Sequence, residues 1–196
     1  MTENSTNKSR RKLGFAMCGS FCTHETAIGV LQSLAISYDV VPILSFTAAE
    51  TDTRFGRASE LYQKICGICG REPIMTIREA EVLGPSSPLD MLLICPCTGN
   101  TLAKLACGIT DTPVTMAAKA HLRCDRPTVI ALASNDSMSA NFSNIGTMLN
   151  RKNVYFVPMR QDDPLSKPHS LVADFGLCAA SIDSAISGVQ LRPLFR

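Results

Sequence analysis

The chain has 196 residues, a formal net charge of +2, 45% hydrophobic residues and 18% charged residues. That length suits one domain whose core stands without disulfides or metals. Three basic residues sit in the leader at Arg10, Arg11 and Lys12, which leaves the body near neutral and without the basic face that nucleic-acid binding requires. Nine cysteines, an odd count, behind a polar leader argue for reduced thiols in a cytosol, and no stretch reaches the roughly 18 apolar residues of a membrane-spanning helix.

Residues 1–11 are polar and without periodicity, so a disordered leader is expected, with a single folded unit over 12–196. Leu13 to Cys18 is a short apolar run ending at Gly19-Ser20, which predicts a buried strand and a turn. Thr23 is placed to cap the next helix, whose Ile28, Leu31, Leu34 and Ala35 share one face. Asp39 to Ser45 predicts a second strand, and its Pro42 lacks a donor, which suits an edge or a bulge. A polar loop follows, then a helix over about 57–69, a brief helix after Met75 and a Pro/Ser/Gly loop. Asp90 to Cys95 is the clearest buried strand. A short helix follows, stopped by Gly108, then a longer one with Pro113 in its first turn. Arg126 to Ala133 predicts a strand, 139–152 a helix, 153–158 a strand and 170–188 a closing helix.

Strands and helices alternate, and the strands are continuous apolar runs. That pattern predicts an α/β fold with a parallel sheet flanked by helices on both faces. In such folds ligands sit beyond the carboxyl ends of the strands. The loops of interest are therefore Gly19–Cys22, Ser45–Phe55, Pro96–Thr101, Ser134–Ala140 and Met159–His169. The first offers a glycine and a hydroxyl at a strand-to-helix turn, the elements of a phosphate cradle, though neither the dinucleotide nor the P-loop fingerprint is present. The third crowds Thr98, Asn100 and Thr101 beside Gly99; one helix cap needs only one such residue, so the excess points to a ligand. Arg54 is suited to gripping a carboxylate. Asp136 and His169 are candidate acid–base groups that spacing alone does not select. The cysteines lack metal spacing. Cys66 and Cys69 lie in a helix, the sulfurs of Cys95 and Cys97 are expected to point apart, Cys97 is placed at the loop, and Cys107 is expected to pack within its helix.

The run from Pro96 through Lys104, followed by Gly108 to Asp111, resembles the flavoprotein superfamily, which includes flavin prenyltransferases and homo-oligomeric flavin-containing cysteine decarboxylases. Gly19-Ser20 and Ser45 fit the same pattern. The resemblance implies a three-layer Rossmann-like fold and FMN as cofactor. Gly19, Ser20 and Phe21 would hold the phosphate, and Ser45, Thr98, Gly99, Asn100 and Thr101 would contact the flavin. No catalytic residue carries over, and no metal is implied. Ala133 stands where the prenyltransferases carry an arginine.

Further motifs run in the same order as in one branch of that superfamily: Thr51 to Gly56, Leu83-Gly84-Pro85, Asp111 to Val114, Met116 to Lys119, Tyr155 to Pro158 and Gln161 to Pro164. This similarity spans about Leu13 to Phe195. It implies a sporulation protein of the mother-cell cytoplasm that works beside an A subunit with a Rossmann domain. Together they would oxidise a dihydrodipicolinate-level precursor to dipicolinate, with NAD(P) entering only through that A subunit. Arg54, Asp162 and Asp163 are the candidates for holding the small dicarboxylate. Self-association, as a trimer or dodecamer, is expected. The alternatives are a stand-alone FMN-dependent decarboxylase or prenyltransferase-like enzyme, and a non-catalytic partner that stabilises the A subunit.

Overall fold

The computed structural model describes residues 10–196. Residues 1–9 of the expected leader lie outside the described residues, and Arg10 and Arg11 are exposed ahead of the first strand. The elements run β1 (Lys12–Met17), α1 (His24–Ala35), β2 (Asp39–Leu44), α2 (Phe46–Glu50), α3 (Ala58–Cys69), α4 (Ile77–Glu81), β3 (Met91–Cys97), α5 (Gly99–Cys107), α6 (Pro113–Leu122), β4 (Thr128–Ser134), α7 (Phe142–Leu149), β5 (Val154–Phe156), β6 (Met159–Arg160), β7 (Leu171–Ala173) and α8 (Cys178–Ile186). Single 3-10 turns at Phe21–Thr23 and Phe175–Leu177 lead into α1 and α8.

The parallel part of the sheet is ordered β2-β1-β3-β4, with β5 beside the first half of β4. β2 is an edge strand, as Pro42 requires. Pro42 carbonyl accepts from Ile74 N–H and Leu44 N–H donates to Ile74 carbonyl. The missing donor of Pro42 therefore faces outward, where only this isolated bridge runs.

Successive residues of the central strands feed two apolar layers. Leu13, Phe15, Met17, Leu93 and Val129 pack on one face with Leu31 of α1, Ile65 of α3 and Ile182 of α8. Ala16, Leu92, Ile94, Ile130 and Leu132 pack on the other with Leu102 of α5, Val114 of α6 and Ile145 of α7. The continuous apolar runs are thus explained by burial on both faces. Helix boundaries follow local chemistry. Thr112 and Thr115 form a reciprocal capping box at α6 with Pro113 in the first turn, and Gly108 ends α5 at a left-handed φ of 73°.

Four expectations change. Thr23 does not cap α1 through its side chain; its hydroxyl donates instead to Ser20 carbonyl at 2.8 Å. The polar stretch after Ser45 contains α2, which Ser45 caps by accepting from Ala48 N–H at 3.2 Å. The first part of the expected closing helix is β7, which pairs antiparallel with Ala133 and Ser134 of β4, while β6 pairs antiparallel with β7. The sheet is therefore mixed at this edge. Finally, β3 runs on to Cys97, with a register shift between Ile94 and Cys97.

His121 of α6 is fully buried. Its Nε2–H donates to Pro127 carbonyl at 2.9 Å, and its Nδ1 has no partner among the described residues. Burial, above the other influences, depresses its pKa from 6.5 to about 4. The folded state resists the proton that the unfolded chain accepts below pH 6.5. His121 therefore contributes full stability above that pH and loses it as pH falls toward 4. The difference between the states is on the order of 3 kcal/mol. Urea unfolding at pH 7 and pH 4.5 will show a steeper acid loss for the parent chain than for His121→Gln; parallel losses would contradict this assignment.

Candidate functional site

In the order β2-β1-β3-β4 the chain leaves β1 toward β2 on one side and resumes at β3 on the other. The gap between the carboxyl ends of β1 and β3 is the topological switch point, where such sheets open a crevice. Backbone bonds hold the strand ends in place. Cys18 N–H donates to Pro96 carbonyl at 3.0 Å and Ser45 N–H to Met17 carbonyl at 3.0 Å. A side-chain bond closes the gap: Thr101 Oγ1 donates to Cys18 Sγ at 3.3 Å, fully inside the protein. The loops after β1, β2 and β3 are thus brought to one place, as the strand pattern predicted.

The first loop is a tight turn. Ser20 N–H donates to Cys18 carbonyl at 2.9 Å, and Thr23 N–H to Ser20 carbonyl at 3.0 Å. Among the described residues, the N–H groups of Gly19 and Phe21 and the hydroxyl of Ser20 have no protein partner. They stand at the start of the helical segment that continues through α1, where partial positive charge collects. A side chain at Gly19 would meet Thr47 Cγ2 at 2.8 Å, so α2 presses against the loop and requires glycine there.

The third loop is capped by Thr98, whose Oγ1 accepts from Thr101 N–H at 3.2 Å and donates to Thr101 Oγ1 at 3.1 Å. Thr98 is thus the helix cap, and Asn100 is left exposed. The N–H groups of Gly99 and Asn100, in the first turn of α5, have no partner among the described residues. Gly99 is walled in by the loop after β4. An added Cβ would stand 2.7 Å from Asn141 Nδ2 and 2.7 Å from Asp136 Oδ1, and closer still to Ser134 Oγ. Asp136 accepts from Ser134 Oγ and from Asn141 Nδ2 at 2.8 Å, while Asn144 Nδ2 donates to Asn141 Oδ1 at 2.9 Å. A carboxylate held by two donors therefore faces the start of α5. Asp136 is a structural strut here rather than a free acid–base group.

The cysteines form the floor. Cys18 and Cys97 lie in one apolar layer and Cys95 in the other. Residues two apart in a regular strand share a face; the register shift at Pro96 is what turns the two sulfurs apart. Cys97 is wholly buried, not in the loop, and Cys107 is exposed, not packed. A hydrogen bond from Cys97 holds the Cys18 thiol below its ordinary range, helped by Thr101 and opposed by burial. The same bond and burial push Cys97 well up. Burial does so for Cys95, which faces Cys178.

Arg54 and Phe55 sit on a turn closed by reciprocal bonds between Thr53 and Gly56, at 3.0 and 3.2 Å. Asp52 ties that turn to α3 by accepting from Ala58 N–H at 2.9 Å. Both side chains are exposed, with the guanidinium 4.8 Å above the ring of Phe55. Asp162 and Asp163 lie beyond β6, in a loop that satisfies itself. Lys167 pairs with Asp162 at 3.0 Å, and Ser166 N–H donates to Asp163 at 3.0 Å. His169 is exposed, and its carbonyl accepts from Met138 N–H at 2.9 Å. The structure therefore gathers Gly19, Ser20, Phe21, Ser45 and Thr98 to Thr101, and leaves Asp162 and Asp163 engaged with their own loop. His24 is not among the residues that sequence reasoning selected. No local pattern marks it, because the fold alone brings it beside Thr51, Thr53 and Phe55.

The donor set fits a flavin nucleotide. Free amides and a hydroxyl at a helix start suit the phosphate. The second helix start, with a carboxylate already beside it, suits neutral hydrogen-bonding groups better than a second anion. Among the described residues no cluster of ligating side chains is placed to hold a metal ion, and no helix is long and apolar enough to cross a membrane.

Comparison with known proteins shows the family and the fold. The Flavoprotein family matches residues 1–186. The B subunit of dipicolinate synthase from Bacillus subtilis (strain 168) is 40% identical over 185 residues, covering 94% of this chain and 92% of that protein. The crystal structure of the corresponding dipicolinate synthase B subunit from Bacillus halodurans C superposes with a TM-score of 0.88 at 37% identity, covering 96% and 97% of the two chains. The FMN-dependent cysteine decarboxylase SpaF superposes with a TM-score of 0.68 at 22% identity over 92% and 98%, a likeness of fold.

The packing at Gly99 gives a direct test. Gly99→Ala must push into Ser134, Asp136 and Asn141 and will cost about 1–3 kcal/mol. Gly29, within α1, has open space around it, and Gly29→Ala will add roughly 0.5–1 kcal/mol. Chemical denaturation of both variants measures this; equal effects would show that Gly99 is not packed as described.

Proposed function

The chain belongs to the Flavoprotein family, in the branch of the dipicolinate synthase B subunits, and we propose that it is the flavin-fold subunit of a dipicolinate-forming oxidoreductase. The observation that carries this reading is the near-full-length similarity to that subunit together with a crevice at the switch point whose free amides and hydroxyls are built for a ligand.

In this reading FMN is held by the amides of Gly19 and Phe21 and the hydroxyl of Ser20 at its phosphate. Ser45 and Thr98 to Thr101 line the rest of its site. When bound, FMN supplies two-electron redox chemistry. The chain's own residues do the remaining work. Thr101 and Cys18 keep the two loops in register, and Asp136 and Asn141 fix the start of α5. Ala133 is the last residue of β4 but one, buried in the sheet and paired to Val172 of β7; its methyl group offers no charge to receive a prenyl phosphate. That favours the two-subunit oxidation over a prenyltransferase.

The proposed partner is an A subunit with a Rossmann domain that brings NAD(P). The substrate is a dihydrodipicolinate-level dicarboxylate, gripped by Arg54; Asp162 and Asp163 would act by shaping their loop. Self-association is supported by a groove lined by Met138, Phe142, Leu171 and Phe195, in which Phe142 and Phe195 are about half exposed at 54% and 50%. An apolar surface of this kind is one that oligomers cover. The place of action is the mother cell of a sporulating bacterium.

Reconstitution tests the function. The chain, a dipicolinate synthase A subunit, the precursor and NAD(P) are combined, and the ultraviolet absorbance of pyridine-2,6-dicarboxylate is followed. Product will form with both subunits present and not with this chain alone. Formation by this chain alone would instead make it a stand-alone enzyme. An unchanged rate when Thr98→Ala and Asn100→Ala replace the parent chain would make it a stabilising partner only.

A further inference from the structure

A cleft opens beside the first loop, between the turn before α1, the Thr51–Phe55 turn and α3. Its walls include Phe21, His24, Thr51, Thr53, Phe55 and Arg57. Neither the loop after β3 nor the loop after β4 contributes to it. It shares Phe21 with the phosphate cradle, so it adjoins that site without being the same place.

His24 gives the cleft its chemistry. Its Nε2 stands 2.8 Å from Cys18 carbonyl. A carbonyl only accepts, so Nε2 carries the hydrogen. In the neutral ring Nδ1 is then a lone-pair acceptor, and it has no partner among the described residues. The ring is half-buried and leans on Phe21, with centroids 5.2 Å apart. Burial pulls its pKa below the ordinary histidine range, against the hydrogen bond to Cys18, so the lone pair is available at neutral pH.

The walls match a flat ring bearing carboxylates. Phe21 and Phe55 offer aromatic faces. Thr53 Oγ1 accepts from Phe55 N–H at 3.1 Å and keeps its own proton to donate. Arg57 lines the cleft and is exposed, and Arg54, next in the chain to the lining residues Thr53 and Phe55, holds its guanidinium 4.8 Å from the Phe55 ring. Of the other charges on the cleft, Lys64 pairs with Glu25 at 3.2 Å, and Glu60 and Arg57 both line it. Arg57 and Lys64 thus balance Glu25 and Glu60 in number, and the neighbouring Arg54 adds one positive charge beside Phe55.

We infer that this cleft is the ring-binding slot for the dihydropyridine dicarboxylate, and that Nδ1 of His24 is the proton acceptor when the ring becomes aromatic. The inference rests on the dipicolinate reading above. Aromatisation removes one hydride and one proton from the ring. The hydride ends on an oxidised nicotinamide dinucleotide brought by the A subunit, the net acceptor of the reaction. The proton passes to Nδ1, His24 becomes imidazolium, and the proton then leaves to water. The ring loses two electrons and the nicotinamide gains two.

The test uses two variants and two readouts. Binding of pyridine-2,6-dicarboxylate to the purified chain is measured by calorimetry, and turnover is measured in the two-subunit enzyme across pH. Phe55→Ala, on an exposed turn, will weaken binding of the dicarboxylate about tenfold. His24→Gln, which keeps a donor toward Cys18, will bind it within about twofold and lose roughly 10²–10⁴ in kcat, together with the acid limb of the pH–rate profile. If the parent enzyme turns over but both variants bind and turn over like it, the slot is elsewhere and the inference fails while the dipicolinate reading stands. If the parent chain with its A subunit makes no product, the reading itself fails. If the parent chain does not bind the dicarboxylate, the slot is wrong.

Discussion

The junction between the ends of β1 and β3 governs the rest of this molecule. There the sheet order reverses, and two loops from distant parts of the sequence must meet with little freedom. They are locked from below, by Cys18 and Thr101, and from the side, by Gly99 against Ser134, Asp136 and Asn141. The first lock is made inside the protein, where a hydrogen bond is not exchanged with water, and the second is half-buried. The upper surface of both loops is consequently left with amides that the fold itself does not use. A protein that spends its internal bonding on holding a loop still, and leaves the loop's outward donors free, has the form of a preorganised ligand site.

Helix starts explain how that site is divided. The segment entering α1 and the start of α5 both present free N–H groups, and each alone would attract an anion. Asp136 sits beside only the second. The first is therefore the better phosphate cradle, and the second is left for groups that accept hydrogen bonds without bringing a full charge. The cysteines that first draw the eye serve this arrangement from beneath. Cys18 takes a hydrogen bond from Thr101 and Cys97 Sγ donates to Thr98 carbonyl at 3.6 Å, and none of Cys18, Cys95 and Cys97 has the exposed, ligand-facing position that metal or thiolate chemistry needs.

Much of this was legible in the residues, and the rest was not for identifiable reasons. β1, β3 and β4 are seen because burial on both faces makes them unbroken apolar runs. The edge position of β2 is seen because Pro42 has no proton to donate. By contrast, α2 is five residues long and opens on Ser45 amid threonines that look like loop, so only its cap betrays it. β6 and β7 are two and three residues long, and they exist because β4 leaves part of its edge unpaired beyond β5. No local pattern encodes that. The cluster around Asp136 is likewise tertiary. His24 became visible as a site residue only when the turn at Thr51 to Phe55 folded over it.

The central claim is that the switch-point crevice holds a flavin nucleotide by its phosphate at the first loop. Its most direct test is a fluorescence titration of the purified chain with FMN and with riboflavin, which lacks the phosphate. Charge-assisted bonds from the Gly19 and Phe21 amides and the Ser20 hydroxyl predict that FMN binds at least about tenfold more tightly than riboflavin, with Ser20→Ala narrowing the gap. Equal affinity for the two, or no binding of either, would contradict the account.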